Sequence, residues 1–223
     1  MLFVLPEGLS FEQGAALPVS GLSASFLVSQ LALSPGEYVA TYAAAGGLGC
    51  YLGGLWAAEG VHSIGLTSSP HKAALATLAG YADTVDYTGG RTVAAVRERS
   101  ENLGVHGVVD SVGGPKFADS FRILRNGGTV VLCGTSAGEP SLAEATLELL
   151  ASRRNLALRE FYLVNHIFEH FNELPSRVAQ LLVLLQSGRL HVPITNSAFE
   201  DVIAAHAALE SGLTTGKLVL DLS

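Results

Sequence analysis

The sequence predicts an α/β protein built on a doubly wound parallel sheet, and three observations carry that prediction. From Tyr38 onward, short β-rich runs alternate with segments of helix length, a pattern typical of parallel strands joined by right-handed helical crossovers. The runs VV at 108–109 and VVL at 130–132 are apolar without alternation, as strands covered on both faces must be. A glycine-rich stretch at 44–49 separates the first predicted strand from its helix.

The elements follow in order from their local patterns. Residues Leu17–Leu33 read as an apolar helix that enters the first strand through Ser34-Pro35-Gly36. The predicted strands are Tyr38–Tyr42, Ser63–Thr67, Thr84–Tyr87, Gly107–Asp110 and Thr129–Cys133, and the helices between them are Gly47–Ala58, His71–Ala79, Thr92–Glu101 and Pro115–Leu124. The tail is predicted as a helix, Phe199–Ser211, followed by a last strand, Lys217–Leu222.

Composition excludes several classes of protein. The chain has 223 residues, 48% of them hydrophobic and 15% charged, with a net charge of −7. It shows no basic stripe, so nucleic acid is not an expected partner. The N-terminus lacks the positive region of a signal peptide, and no apolar run reaches the ~18 residues of a membrane span. Cys50 and Cys133 are expected to be small buried hydrophobes in a reducing cytosol.

The glycine-rich loop fits a dinucleotide-binding fingerprint. Ala44, Gly46 and Gly49 occupy the three positions of GxGxxG. The second glycine lets the backbone approach a pyrophosphate and the third lets the helix pack on the strand, whereas the first only eases the turn. The helix from Gly47 would offer free N–H groups to the phosphates. The alternative is a glycine-rich turn that serves packing alone.

The end of the second predicted strand indicates which cofactor is bound. A site for NAD would place an acid there, but the sequence has the hydroxyls of Thr67, Ser68 and Ser69 and then Lys72. Hydroxyls and an ammonium bind a 2′-phosphate, which a carboxylate would repel. Tyr87 at the end of the third strand could add a donor. The pattern favours NADPH, although Ser68 and Lys72 could instead only cap and solvate the next helix.

Five ordered motifs then resemble one known family. They are AAAGGLG, TSSPHK with LAGYADTVDY, GVHGVVDSVGG, LRNGGTVVLCGTSAG and GKLVLDL. Together they resemble the zinc-independent quinone oxidoreductases of the medium-chain dehydrogenase/reductase superfamily, over nearly the whole chain. The resemblance implies a Rossmann-type cofactor domain that binds NADPH and needs no metal.

The resemblance also implies roles by position. Gly46, Gly47 and Gly49 fall at the pyrophosphate, and Ser68, Lys72 and Tyr87 fall at the adenosine 2′-phosphate. Ala45, Leu48 and Thr67 beside them are also expected to bind the cofactor. Gly134, Phe161 and Leu163 fall near the nicotinamide. No residue is identified as an obligatory catalytic acid or base. A homodimer through the edge strand around Leu156–Tyr162 is expected.

The resemblance divides the chain into three segments. Residues 1–33 are an entry segment and helix, 34–196 the NAD(P)-binding domain, and 197–223 a helix and strand that normally return to a substrate domain. That GroES-like domain precedes this region in the family, so a fragment or a truncated gene product is expected. The alternative is that a partner subunit completes the substrate pocket.

The expected activity is hydride transfer from NADPH to a quinone or an α,β-unsaturated carbonyl, in the cytoplasm. The alternative is a module that binds or senses NADPH without turnover.

Two further motifs point elsewhere. GTSAG at 134–138 matches the GxSxG nucleophile elbow, with Asp201 and His206 downstream. Gly138-Glu139-Pro140 delays the helix that an elbow requires, so a hydrolase is not expected. HIFEH at 166–170 matches an inverted zinc-protease motif. An exposed helix flank, with Phe168 and Phe171 packed inward, is the expected alternative.

Overall fold

The computed structural model describes residues 4–222 and contains the predicted doubly wound sheet. Six parallel strands lie in the order β3-β2-β1-β4-β5-β6. They are β1 (Tyr38–Tyr42), β2 (His62–Thr67), β3 (Asp83–Asp86), β4 (Val105–Asp110), β5 (Leu124–Leu132) and β6 (Ala157–Glu160). A second, two-stranded parallel sheet pairs β7 (Ile194–Ala198) with β8 (Lys217–Asp221). The strand order reverses between β1 and β4, where a Rossmann-type fold places its crevice.

Nine helices are described. They are α1 (Phe11–Leu31), α2 (Gly47–Ala58), α3 (Pro70–Leu78), α4 (Thr92–Arg99), α5 (Ala118–Arg122), α6 (Leu142–Ala151), α7 (Leu163–Glu169), α8 (Leu174–Gln186) and α9 (Val202–Glu210). Short 3₁₀ turns at Phe171–Glu173 and Phe199–Asp201 precede α8 and α9.

The central strands contribute side chains to two separate hydrophobic cores. Val39, Val109 and Val131 pack with α1, α2 and α8 on one face of the sheet. Their neighbours Val108 and Val130 pack with α4, α5 and α6 on the other face. Successive strand residues point to opposite faces, so both faces of each central strand must be apolar. This geometry accounts for the absence of alternation in the sequence.

The predicted and observed elements agree best in the first half of the sheet, where β1 and α2 have the predicted bounds. Helix α1 begins at Phe11 instead of Leu17. Ser10 and Gln13 form a capping box that fixes this start, and Pro18 lies inside the helix. The sequence pattern did not indicate α6, α8 or β7.

Helix α1 passes a test of length and composition for a membrane span. Its 21 residues include an 18-residue window of mean hydropathy 1.3, although serines and glycines interrupt the apolar residues within it. However, 56% of that window is buried inside the protein, and α1 packs on α2 and α8. Burial in the core accounts for its apolar composition.

The C-terminal segment folds back on the glycine-rich loop. Strand β8 pairs with β7 through the crossover helix α9. Immediately before β8, Gly216 forms a parallel bridge with Gly46. The tail therefore lies beside the carboxyl end of β1, where a cofactor would bind in this fold.

Candidate cofactor-binding cleft

The glycine-rich loop forms a tight turn that opens the N-terminus of α2. The left-handed residue of the turn is Ala43, with φ of 51°, one position before the predicted first glycine equivalent. The Gly46 N–H donates to the Ala43 carbonyl at 2.8 Å. Gly46 is also the N-cap of α2 and supplies no side-chain cap. The first N–H groups of a helix lack partners within it, so this end can receive an anion.

The two later glycines of the fingerprint meet different surroundings. A Cβ on Gly49 would lie 2.6 Å from both Cα and O of Ala44, so only glycine lets α2 approach β1 this closely. A Cβ on Gly46 would meet only the Ala43 carbonyl, at 3.2 Å. The rest of the space beside Gly46 is open. The arrangement matches a packing role for Gly49 and close approach of a ligand at Gly46.

A cleft of about 610 Å³ lies over this loop, within the size range of cofactor sites. It extends across the carboxyl ends of β1, β2, β3 and β4. Its lining comprises Ala43, Ala44, Ala45, Gly46, Thr67, Ser68, Lys72, Tyr87, Val112, Ser136, Ala137, Leu209, Glu210, Ser211, Gly212 and Thr214. Six predicted cofactor residues therefore meet in one cavity: Ala45, Gly46, Thr67, Ser68, Lys72 and Tyr87.

Thr67 and Ser68, at the end of β2, have side chains that are available to a ligand. Ser69, not Ser68, is the N-cap of α3, and its hydroxyl accepts from the Lys72 N–H at 3.3 Å. Ser68 is therefore not needed for capping. The Thr67 side chain is 2% exposed, and its hydroxyl has no hydrogen-bond partner among the described residues. A buried hydroxyl without a partner is costly, and a ligand in the cleft would supply one.

The other predicted cofactor residues lie outside the lining of this cavity. Gly47 faces the Lys217 side chain, Gly49 faces the backbone of Ala44, and the Leu48 side chain packs against the core. Gly134 follows β5, while Phe161 and Leu163 follow β6 and pack in the core around α1 and α8. These three lie at the same sheet edge as the glycine loop, but on the β4–β5–β6 half.

Sequence reasoning missed two parts of the lining. Val112, Ser136 and Ala137 belong to the loops after β4 and β5, which the parallel topology could have placed at this edge. The segment from Leu209 to Thr214 comes from the end of α9 and beyond. No local pattern signals that a tail more than 100 residues away in sequence covers the site.

Asp110 fixes the loop after β4. Its carboxylate is 1% exposed and accepts from the N–H groups of Val112 and Gly113 at 2.8 and 2.9 Å. It also accepts from the Ser120 hydroxyl at 2.7 Å. Burial raises the pKa of Asp110, and the three hydrogen bonds act against that rise. Asp110 therefore has a structural role beneath the cleft.

The GxSxG motif does not form a nucleophile elbow. Ser136 lies in a turn, its hydroxyl donates to the Ser111 carbonyl at 3.1 Å, and the next helix begins only at Leu142. Asp201 lies in the 3₁₀ turn and His206 on α9. Ser136 instead lines the cleft.

The HxxEH motif ends α7. The rings of His166 and His170 are 6.1 Å apart, and the Nδ1 atom of His170 lies 2.9 Å from a carboxylate oxygen of Glu173. The expectation that Phe168 and Phe171 pack inward is wrong, because they are 77% and 55% exposed. Phe26 and Phe161 are the aromatic residues that contact His166.

The described residues do not offer a metal site. Within 4–222, no group of three or more His, Cys, Asp or Glu side chains could hold an ion. Both cysteines are free, and burial raises the pKa of each thiol to about 12. Neither thiol is thus poised to ligate as a thiolate.

Known proteins match along most of the chain. Residues 79–220 match the family model described as "Zinc-binding dehydrogenase". The quinone oxidoreductase of Salmonella typhimurium is 31% identical over 222 residues, which cover 97% of this chain and 67% of that protein. The quinone oxidoreductase of Pseudomonas aeruginosa is 30% identical over 222 residues, covering 97% of this chain and 66% of the relative.

A solved structure shows the same arrangement of elements. The quinone oxidoreductase of Escherichia coli, complexed with NADPH, aligns with a TM-score of 0.90 and 29% identity, over 99% of this chain and 68% of that one. The chain thus spans about two thirds of the length of these relatives. On the strength of its sheet, its glycine loop and these matches, the chain belongs to the zinc-binding dehydrogenase family, in which its relatives are quinone oxidoreductases.

Proposed function

We propose that this chain is the NADPH-binding part of a reductase that transfers hydride to a quinone or an α,β-unsaturated carbonyl. The observation that carries the proposal is the set of side chains at the end of β2. There, Thr67, Ser68 and Lys72 face the cleft, where an NAD-specific site would have an acid. An ammonium and hydroxyls are the donors that a 2′-phosphate requires.

The residues present fit a dinucleotide phosphate. The uncapped N-terminus of α2 would hold the pyrophosphate, with Gly46 leaving room for it. Ser68, Lys72 and Tyr87 would hold the 2′-phosphate, and the partnerless Thr67 hydroxyl would gain a bond from the adenosine ribose. Gly134, Phe161 and Leu163 would border the nicotinamide from the β4–β5–β6 half.

NADPH supplies the hydride chemistry when bound, and this chain's residues orient it and exclude water. Although the family is named for zinc, the described residues do not fit that ion, and the proposal uses no metal. The relatives are quinone oxidoreductases and one was solved with NADPH. These matches support the substrate class, a quinone or a related enone.

The compartment, the division of the chain into segments and the assembly of the protein are also proposed. Two free cysteines fit a reducing compartment, which supports the cytosol. The division into 1–33, 34–196 and 197–223 is proposed as well; a second sheet that begins at Ile194 supports a separate C-terminal segment, although β7 crosses the boundary between residues 196 and 197. A homodimer is supported by β6, whose single partner among the described strands is β5.

Calorimetric titration with NADPH and NADH tests the proposal. We expect NADPH to bind more tightly, and Lys72→Ala to weaken NADPH binding by ~10- to 100-fold, the value of a hydrogen bond to a charged group. NADH binding should change little. Arg91→Ala, which removes one positive charge at an exposed site, is the control. Equal affinity for both nucleotides, or an equal loss with Arg91→Ala, would contradict the assignment of Lys72.

A further inference from the structure

Tyr81 follows α3 and precedes β3, and it is buried in the core next to α2. Its ring lies in a slot that two glycines leave open. A Cβ on Gly53, in α2, would lie 2.7 Å from the ring carbon Cε2, and a Cβ on Gly65, in β2, would lie 3.1 Å from Cγ. A side chain at Gly53 would therefore overlap the ring, and one at Gly65 would press on it. The slot between α2 and β2 is thus shaped to hold an aromatic side chain.

The hydroxyl of Tyr81 donates to the Gly49 carbonyl at 2.8 Å. Gly49 lies in the first turn of α2. Within a helix its carbonyl accepts from the N–H four residues later, that of Gly53, and its two lone pairs can accept both bonds. Because Gly53 has no side chain, the phenol can reach this carbonyl from outside the helix. Burial raises the pKa of Tyr81, so the hydroxyl keeps the proton that it donates.

The first turn of α2 has little other support from side chains. Gly46, its N-cap, supplies no side-chain hydrogen bond. Within residues 4–222, two side chains bond to the backbone of the segment 43–50. One is the Cys50 thiol, a weak donor that lies 3.9 Å from the Ala44 carbonyl, and the other is the Tyr81 hydroxyl. Tyr81 is therefore the stronger of the two side-chain restraints on this turn.

The hydroxyl makes a contribution that the ring alone would not. Burying a hydroxyl costs free energy unless it is hydrogen-bonded, and a phenylalanine ring would fill the same slot without that cost. The distinct contribution of the hydroxyl is thus its bond to Gly49. Groups that bind a ligand must be held to within about 0.5 Å by the residues that support them. The free N–H groups at the start of α2 are such groups, since they would meet an anion.

We propose that Tyr81 is a positioning residue, whose hydroxyl holds the first turn of α2 where its free N–H groups meet the pyrophosphate of the cofactor. This role rests on the proposed function. Tyr81 does not line the cleft, so it acts through Gly49 and touches no ligand. NADPH and NADH share the pyrophosphate. Tyr81 therefore supports the binding of both nucleotides equally, whereas Lys72 would support only the binding of NADPH.

Hydrogen–deuterium exchange of the amides at 50–53 tests the restraint without any nucleotide. We expect Tyr81→Phe, which keeps the ring in its slot, to raise their exchange rates in the free protein by ~3- to 10-fold, as for loss of one hydrogen bond. Tyr51→Phe is the matched control, because it makes the same change within α2 while its ring faces Gly21 of α1. Unchanged exchange in Tyr81→Phe, or an equal rise in Tyr51→Phe, would overturn the restraint.

Calorimetry with three ligands tests the effect on binding: NADPH, NADH and adenosine 2′-monophosphate, which has the 2′-phosphate but no pyrophosphate. Tyr81→Phe should weaken NADPH and NADH by the same ~3- to 10-fold and leave the monophosphate unchanged. Lys72→Ala should instead weaken NADPH and the monophosphate and spare NADH.

The outcomes separate this role from the proposed function. Wild-type affinity of Tyr81→Phe for NADPH, or an equal loss for all three ligands, would overturn the positioning role alone, since a general loss of structure does not select the pyrophosphate. A wild-type chain that does not bind NADPH would refute the proposed function and the positioning role with it.

Discussion

Gly46 and Gly49 belong to one fingerprint but meet different constraints. The position of a Cβ at Gly49 lies 2.6 Å from the Ala44 backbone, whereas at Gly46 the nearest atom is 3.2 Å away. We expect Gly49→Ala to lower the free energy of unfolding by ~1–3 kcal/mol, as overpacking in a tight core does. Gly46→Ala should change it by less than ~1 kcal/mol. Urea unfolding monitored by circular dichroism measures both.

The same pair separates stability from binding. Gly46→Ala should abolish most NADPH binding while the chain remains folded, because its methyl group would occupy the open space beside the helix N-terminus. A variant that keeps wild-type affinity would show that the pyrophosphate lies elsewhere.

His106 gives the free energy of unfolding a specific pH dependence. Its Nδ1 accepts from the Tyr38 N–H at 3.0 Å, while Arg125 and Glu37 approach its Nε2. Burial is the largest cause that lowers the pKa of His106 below 6.5, with Arg125 adding to it and Glu37 opposing it. The unfolded chain therefore takes up the proton at higher pH than the folded chain does.

Because the pKa of His106 is lower in the folded chain, neutral His106 stabilises the fold fully above about pH 6.5. This contribution to the free energy of unfolding is lost as the pH falls below that value. Urea midpoints between pH 7.5 and pH 5 should fall for the wild type, and fall less for His106→Gln, whose amide oxygen can still accept from Tyr38. Because the two chains share every other titratable group, the difference between their urea midpoints isolates the contribution of His106. A steeper loss in His106→Gln would contradict the neutral assignment of His106.

At the scale of the element, the end of α1 stores strain. Its C-cap, Ala32, is exposed and left-handed, with φ of 48° and ψ of 45°. Glycine is the residue that helices prefer at such an end. Ala32→Gly should raise the free energy of unfolding by ~0.5–1 kcal/mol, since the left-handed conformation is costly for alanine. Ala94→Gly, at an exposed site inside α4, should instead lower it by ~1 kcal/mol.

Opposite signs for these two substitutions in the same unfolding assay would establish the left-handed end. A loss of stability in both would mean that α1 does not end at Ala32.

Local pattern was enough for elements with strong boundaries. The turn at Ser34-Pro35-Gly36 and the glycine loop fixed β1 and α2 to the residue. The predicted helix began at Leu17, whereas the capping box at Ser10 and Gln13 makes α1 begin at Phe11. Strand β7 has Asn196 at its centre, a residue type that is depleted in strands; pairing with β8 makes this segment a strand.

At the scale of the whole molecule, the open edge of β6 bears on assembly. Leu158 on β6 is 40% exposed and Tyr162 just after it is 62% exposed. Unpaired strand edges recruit another strand unless they are protected. We expect sedimentation equilibrium to show a dimer, and Leu158→Lys to shift it towards monomer. Leu78→Lys, at a 64% exposed site on α3, should remain dimeric. A wild-type monomer at all concentrations would contradict the edge-strand dimer.

The sequence by itself determined the fold class and the position of the glycine loop, and it predicted that Ser68 and Lys72 bind a 2′-phosphate. These features depend on short-range causes: strands buried on both faces, a turn that needs small residues, and donors placed directly after a strand. The topology then brings the ends of parallel strands to one edge, so such residues meet without further information.

Only the tertiary structure decided which distant segments lie across the cleft from Ser68 and Lys72. The segment 211–216 reaches the cleft because β8 pairs with β7, and that pairing brings Gly212 to Lys72 across 140 residues of sequence. The tertiary structure likewise showed that Ser69 caps α3 and that Phe168 and Phe171 are exposed. Contacts between distant segments depend on how whole elements pack, and no local periodicity records that packing.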